Sequence, residues 1–155
     1  MFSVVTSGGV RGVSGYLVRV ETDISPGMPM LDLVGFLGSE VREASSRVRT
    51  ALKNAGYSLP VARITVNLAP ADVRKSGNGY DLPIALSVLC SMGEIDAAAL
   101  DDTFVAGELM LSGQISSTRG ILPMLLEASR RGFTKCIIPK GNEEEGAIAP
   151  SIQFL

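Results

Sequence analysis

The chain has 155 residues, with 14 Lys+Arg against 16 Asp+Glu for a formal net charge of −2 at pH 7, and is 46% hydrophobic against 19% charged. That length predicts one domain, able to bury roughly 68–70% of its unfolded surface without a disulfide or metal staple, and the composition excludes disorder. The charge balance excludes a strongly basic nucleic-acid module or an acidic tail and leaves only local patches.

Phe2–Thr6 and Val13–Asp23 are predicted strands. In the second, Tyr16, Val18, Val20 and Thr22 alternate with Leu17, Arg19, Glu21 and Asp23 at the strand period. Ser7-Gly8-Gly9 to Gly12 reads as the turn between them. Pro26-Gly27-Met28-Pro29 breaks the chain before a third strand, Met30–Phe36, so an antiparallel beginning is expected. Helical spacing follows. Ser39 suits an N-cap, with Glu40 and Glu43 in the first turn. Val41, Ala44, Val48, Ala51, Leu52 and Ala55 form the apolar stripe, and Gly56 is the stop.

Arg63–Leu68 alternates again, with Ile64, Val66 and Leu68 on one side. A polar, Gly-containing loop from Pro70 to Gly79 leads into a helix from Asp81 to Met92. That helix is apolar all round and therefore predicted to be buried. Beyond a surface connection, Glu94–Asp102, come short strands at Thr103–Ala106 and Leu109–Ile115, with Ser112-Gly113 as the turn between them. A helix from Leu122 to Arg131 stops at Gly132; Lys135–Ile138 is a strand, Glu143–Ala149 a short helix, and Ile152–Leu155 a last strand. The order predicts an α+β fold, a mixed α/β sandwich, as a single domain over 1–155.

The chain has no His, which removes Ser–His and Cys–His pairs, a His base and imidazole metal ligands. Its two cysteines, Cys90 and Cys136, sit in apolar runs and read as small buried hydrophobes, consistent with a reducing compartment. The longest apolar stretch, Leu82 to Cys90, is far short of the ~20 residues that span a bilayer, and Met1 opens no signal-peptide pattern. A soluble, cytoplasmic chain is expected. No Gly-Lys-Ser/Thr occurs, so no phosphate-binding P-loop is present.

Asp101-Asp102 and Glu143-Glu144-Glu145 read as solvated element ends. Asp81 either caps the buried helix or, with Asp72 and carbonyls, holds a divalent metal. The loop Ala69 to Gly79 sets Arg74 and Lys75 among glycines before a helix start. It is an anion-binding concavity or an exposed loop with solvated charges. Arg42, Arg47, Arg49 and Lys53 on one helix face form either a solvated face or a phosphate track.

The run RITVNLAPADVRKSGNGYDLPIALSVL (Arg63 to Leu89) resembles the amino-terminal domain of the ComM/YifB proteins, the Mg-chelatase-like AAA+ ATPases. The likeness extends to PGMP (Pro26–Pro29), RVRTALKNAGY (Arg47–Tyr57), FVAGELMLSGQISSTRGILP (Phe104–Pro123) and GFTKCIIPKGNEEEGAIA (Gly132–Ala149). It departs at Val34–Glu40, where the family shows Gly-Leu-Pro-Asp.

The resemblance implies a Lon-protease-like fold, shared with a ribosomal small-subunit protein domain. Lon-type proteases pair a Ser nucleophile with a Lys base that is desolvated enough to take the hydroxyl proton. By similarity the Ser position is Gly79 and the Lys position Leu122, so the implied domain is catalytically silent, with no cofactor or metal of its own. Ser76 beside Lys75 is no substitute, because neighbours on an extended chain point apart. The resemblance places an AAA+ motor with ATP and Mg²⁺ beyond Leu155. It also implies a homo-oligomeric ring working on DNA in branch migration during natural transformation and recombination, without a membrane. The cations expected to touch DNA are Arg42, Arg47, Arg49, Lys53, Arg74, Lys75 and Arg119. The rival expectations are a protein-interaction or oligomerisation module, and a residual peptidase or small-molecule site in the old cleft.

Overall fold

A computed structural model describes residues 1–148 and 153–154. The chain opens with a long hairpin, β1 (Phe2–Arg11) and β2 (Ser14–Ser25), paired antiparallel from Phe2↔Asp23 to Arg11↔Ser14. The connection is Gly12-Val13, with Gly12 at φ +63°, the glycine-first pattern of a tight hairpin. The expected turn at Ser7-Gly8-Gly9 is therefore strand. Those glycines serve close approach: a Cβ at Gly8 would lie 2.8 Å from the Tyr16 carbonyl oxygen, and one at Gly9 2.5 Å from the Tyr16 hydroxyl.

β3 (Met30–Val34) does not extend the hairpin. It lies parallel to β4 (Arg63–Ala69), which pairs antiparallel with β2, so β4 inserts between β2 and β3. Burial of Ile64, Val66 and Leu68 on β4 explains the choice, since both its edges and one face are occupied. β5 (Thr103–Val105) and β8 (Lys135–Ile137) continue the sheet in parallel beside β1. β6 (Glu108–Leu109) and β7 (Ile115–Ser116) form a separate two-stranded hairpin turned at Gly113, so the expected single strand Leu109–Ile115 is split, with the Ser112-Gly113 turn inside it and not between it and Thr103–Ala106. β9 (Gln153–Phe154) closes the order β3-β4-β2-β1-β5-β8-β9 among the described residues. The rest of the expected strand Ile152–Leu155 lies outside them, as does Ala149 of the expected last helix, which is seen as α5 (Glu143–Ile148).

The helix expected from Ser39 is two pieces, α1 (Ser39–Arg42) and α2 (Ala44–Asn54), joined through Glu43. Gly38 rather than Ser39 precedes the first, with no side-chain cap. Gly56 at φ +99° ends the second as the sequence predicts. α3 (Asp81–Ser91) and α2 cover one sheet face, with Val5, Val18 and Val20 beneath them. α4 (Ile121–Arg130) covers the other, where Ile121, Met124, Leu125 and Ala128 meet Phe104 and Leu17. Leu17 and Val18 are neighbours on β2 and feed opposite cores, as strand alternation requires. The expected mixed α/β sandwich is thus the observed one.

Four hydroxyls fix α3 on the sheet. Ser3 Oγ lies 2.6 Å from Ser91 Oγ and donates to the Ser87 carbonyl at 2.7 Å, and Ser87 Oγ reaches Thr22 Oγ1 at 2.7 Å. A buried polar group is tolerated only when its bonds are made, so this network sets the height of α3 and hence of the loop that precedes it. No helix among the described residues is long and apolar enough to cross a membrane.

Candidate functional site

The loop between β4 and α3 is held by buried charges. Asp81, first residue of α3, is 1% exposed. Its carboxylate accepts two bonds from Arg47, from Nε at 3.0 Å and Nη2 at 3.0 Å, and a third from the Leu109 N–H at 3.1 Å. Arg47 Nη2 also donates to the Glu40 carbonyl at 2.8 Å and to Asn78 Oδ1 at 3.2 Å. Burial pushes the Asp81 carboxyl above its ordinary range, while the Arg47 fork and the Leu109 N–H pull it back down. One ion pair thereby ties together α2, the loop, α3 and β6.

Asp81 is therefore not a cap, because its oxygens face Arg47 and β6 and the helix start has no side-chain cap. The metal alternative with Asp72 finds its Asp81 oxygens already engaged. No group of three or more His, Cys, Asp or Glu positioned for a metal ion occurs among the described residues.

Lys75 has no exposed surface. Its ammonium donates to the Pro70 carbonyl, its N–H to Phe36 O at 2.9 Å, and its carbonyl accepts from Gly38 N at 2.8 Å. Burial lowers the lysine's proton affinity, and Asp72 opposes that shift. Lys75 is thus the staple of the loop against residues 36–38. Two of the seven expected DNA-contacting cations, Arg47 and Lys75, are consequently corrected: both side chains are committed inside the domain. The charge pattern did not reveal this, because the burial of Arg47 depends on a carboxylate 34 residues away and that of Lys75 on the loop folding back on Pro70 and residues 36–38.

Arg42, Arg49, Lys53, Arg74 and Arg119 are exposed. Arg49 and Lys53 line one groove of about 420 Å³ with Tyr57. Arg42 Nε reaches the Leu37 carbonyl at 3.3 Å, and Arg74 lies beside Gly38, so these two flank the same segment. Glu40 accepts from Gly77 N at 2.9 Å, a bond that holds its carboxyl below the usual range.

Arg119 lines a second cleft, of about 260 Å³, with Gly8, Ser76 to Tyr80, Glu108, Thr118 and Met124. Gly79, at the expected Ser position, forms part of its wall. A Cβ there would lie 2.7 Å from Thr118 Cγ2, so Thr118 fills the space a side chain at 79 would need. Leu122, at the expected Lys position, is the second residue of α4, and its N–H donates to Glu145 Oε2 at 3.2 Å. Thr118 is itself clamped: its N–H donates to Asn142 Oδ1 at 3.0 Å, and Asn142 Nδ2 returns a bond to its carbonyl at 3.0 Å. Tyr80 completes the buried wall at 2% exposure, its hydroxyl beside that of Tyr16 next to Gly9. Burial pushes that phenol far above its usual range, so it stays neutral. Sequence reasoning missed Tyr80, Thr118 and Asn142. The one legible signal was the Thr118-Arg119-Gly120 run just ahead of a helix.

The mixed α/β fold is Lon-protease-like, as the similarity to Lon proteases supports. The chain is 27% identical to the Lon protease of Xanthomonas oryzae pv. oryzae over 146 residues, covering 90% of this chain and 17% of that protein. It belongs to the family described as subunit ChlI of Mg-chelatase, whose pattern matches residues 20–142. It is 41% identical to the protein YifB of Escherichia coli (strain K12) over 143 residues. It is 40% identical to the competence protein ComM of Haemophilus influenzae over 146 residues. The matches take in 92% and 94% of this chain but only 28% of each relative's length. The family expected from the Arg63–Leu89 run is the one found.

Proposed function

We propose that this chain is a non-catalytic accessory domain of a ComM/YifB-like AAA+ ATPase, supporting ring assembly and DNA contact during branch migration in transformation and recombination. The observation that carries the silent-domain reading is the cleft itself. The nucleophile position is Gly79, packed against Thr118, and the base position is Leu122, its main chain tied to Glu145. Neither residue can attack a carbonyl or accept a hydroxyl proton. ATP and Mg²⁺ belong to the motor, in the part of the protein its relatives have and this chain does not span.

DNA contact rests on the cations the fold leaves exposed: Arg42, Arg49, Lys53, Arg74 and Arg119. Phosphate contacts of this kind are sequence-independent and salt-dependent. Fluorescence anisotropy with a labelled duplex tests it. Arg49→Ala with Lys53→Ala should weaken binding and reduce the slope of log K against log salt by about one unit for each phosphate no longer neutralised. Unchanged affinity and slope in that pair, in Arg42→Ala and in Arg74→Ala would remove the DNA role.

The second reading, a protein-interaction or oligomerisation module, draws on the β6–β7 hairpin. Met110, Leu111 and Ile115 at its tip are about half exposed, an apolar cluster that pairing with another protein surface would cover. Salt-insensitive self-association without any DNA response would favour that reading.

A further inference from the structure

Two apolar features of the described surface face away from each other. The first is a knob. Met110, Leu111 and Ile115 of the β6–β7 hairpin are about half exposed, and no charged residue occurs from Leu109 to Ser117. The tip is held in one shape: the Met110 N–H donates to the Gln114 carbonyl at 2.8 Å and the Gly113 N–H to the Met110 carbonyl at 2.9 Å. Asn54 Nδ2 on α2 donates to the Leu111 carbonyl at 2.6 Å, and Gly113 lies against Ala51 and Ala55. Apolar side chains on so fixed a turn lose little freedom when a partner covers them.

The second is a mostly apolar hole of about 430 Å³, lined by Thr6, Leu17, Arg19, Ala69, Pro70 and Phe133. Leu17 and Phe133 belong to the margin of the α4 core, so the hole opens on the sheet face opposite α2 and α3. Its volume lies in the range of about 300–1,000 Å³ that encloses a small molecule, enough for two of the tip side chains. The one charge among its lining residues, Arg19, is 61% exposed and paired with Glu21 at 3.2 Å. An uncharged visitor therefore leaves that pair in water. The knob sits on α2, on the other face, and does not reach the hole of its own chain.

We propose that the β6–β7 tip of one copy docks in the Leu17–Pro70–Phe133 hole of the next, a head-to-tail contact between copies of this chain. The inference rests on the ring-assembly part of the function proposed above and names its surfaces. A contact between two different patches on opposite faces repeats in one direction and closes into a ring or runs on as a filament, whereas a self-complementary patch stops at a dimer. The exposed area speaks against a knob-to-knob dimer. Three half-exposed side chains offer on the order of 200 Å², against about 800 Å² per partner in a stable pair. One contact is weak by itself, and each copy in a ring makes two, one through its knob and one through its hole. Neither surface presents an unpaired charge, so the contact is insensitive to salt, unlike a DNA contact.

Sedimentation equilibrium of the chain up to about 1 mM, where millimolar contacts become visible, tests it with two variants that disarm one surface each. Met110→Asp with Leu111→Asp charges the knob, and Thr6→Glu sets a carboxylate in the hole, across the strands from Arg19. Thermal melts check that both keep the fold. Wild type should form species larger than a dimer, and either variant alone should weaken association by about tenfold or more. An equimolar mixture of the two variants retains one intact contact, so it should give heterodimers at wild-type affinity and nothing larger. Single cysteines at the same places, Leu111→Cys and Thr6→Cys, should cross-link to each other under mild oxidation and neither to itself, since Cys90 and Cys136 are buried. Self-association that survives both variants, or Leu111→Cys linking to itself, would overturn this pairing and leave ring assembly to other surfaces. A chain that stays monomeric without cross-links would overturn the contact and, with it, ring assembly through this domain.

Discussion

Replacing Arg47 by Met asks whether the buried pair, and not the apolar stripe of α2, holds the candidate site together. Arg47 is 21% exposed and Asp81 1%, with two 3.0 Å bonds between them. Removing the guanidinium leaves Asp81 with only the Leu109 N–H, and also strips the Glu40 carbonyl and Asn78 of a donor. Breaking a buried pair from one side costs about 3–5 kcal/mol. Solvent reaches one edge of the guanidinium, so the low end, about 3 kcal/mol, applies here. For a chain of this size that lowers Tm by on the order of 10 °C.

The double variant Arg47→Met with Asp81→Leu should recover more than half of the loss, because no buried charge then remains. The unpaired Leu109 N–H keeps a penalty of about 1 kcal/mol. The pH dependence carries the sign. In Arg47→Met the Asp81 carboxyl has its folded-state affinity for a proton raised by burial above its unfolded value. Stability is then complete below the unfolded carboxyl range and is lost as pH rises through the folded value, so the deficit shrinks on acidification from neutral. Urea denaturation of the three proteins at several pH values is the assay. A single-variant loss below about 1 kcal/mol, or a double variant less stable than the single, would refute the reasoning.

Lys75 gives the opposite pH behaviour: its folded-state affinity for a proton is lowered by burial from lysine's ordinary 10.5, so its unfavourable contribution fades as pH rises towards that value. Wild type should gain stability relative to Lys75→Met as pH rises through the alkaline range to lysine's ordinary 10.5, measured by denaturant midpoints, and a flat difference would contradict the buried ammonium. Gly79→Ser should cost about 1–3 kcal/mol through its clash with Thr118, with Thr118→Ala relieving most of it. Thermal melts read the stability, and a fluorogenic peptide should remain uncleaved by both variants. Cys136 is fully buried and its thiol is pushed up to about 11 from 9.0, so stability tied to it is lost as pH rises from 9.0 through about 11. At neutral pH a thiol reagent should label Cys136 only at the rate of unfolding, and rapid labelling of the native chain would contradict its burial.

Periodicity made the regular elements legible. Alternation marked Ile64, Val66 and Leu68 as the buried face of β4, and the all-apolar run marked α3 as interior, as both proved to be. Topology was less legible, because nothing local tells β3 to pair in parallel with a strand some thirty residues later instead of folding back on β2. Gly8 and Gly9 looked like a turn because the tyrosines that require bare backbone there, Tyr16 and Tyr80, approach from elsewhere.

At the site the sequence located the loop and the helix start, and the resemblance pointed to Gly79 and Leu122. It did not separate Arg47 and Lys75 from Arg49, Lys53 and Arg74. Their chemistry is the same; what differs is a buried carboxylate on α3 and a carbonyl five residues back. Thr118 escaped notice for the same reason, since a threonine becomes informative only once its hydroxyl is seen to be buried and unpaired.

The account turns on whether this domain touches DNA. The most direct measurement is the affinity of the chain for a labelled duplex across a salt series, from low to physiological ionic strength. The account predicts binding at low salt that falls linearly in log–log form, with a slope set by the few exposed cations that remain. No binding at the lowest salt, together with self-association that salt leaves unchanged, would contradict it.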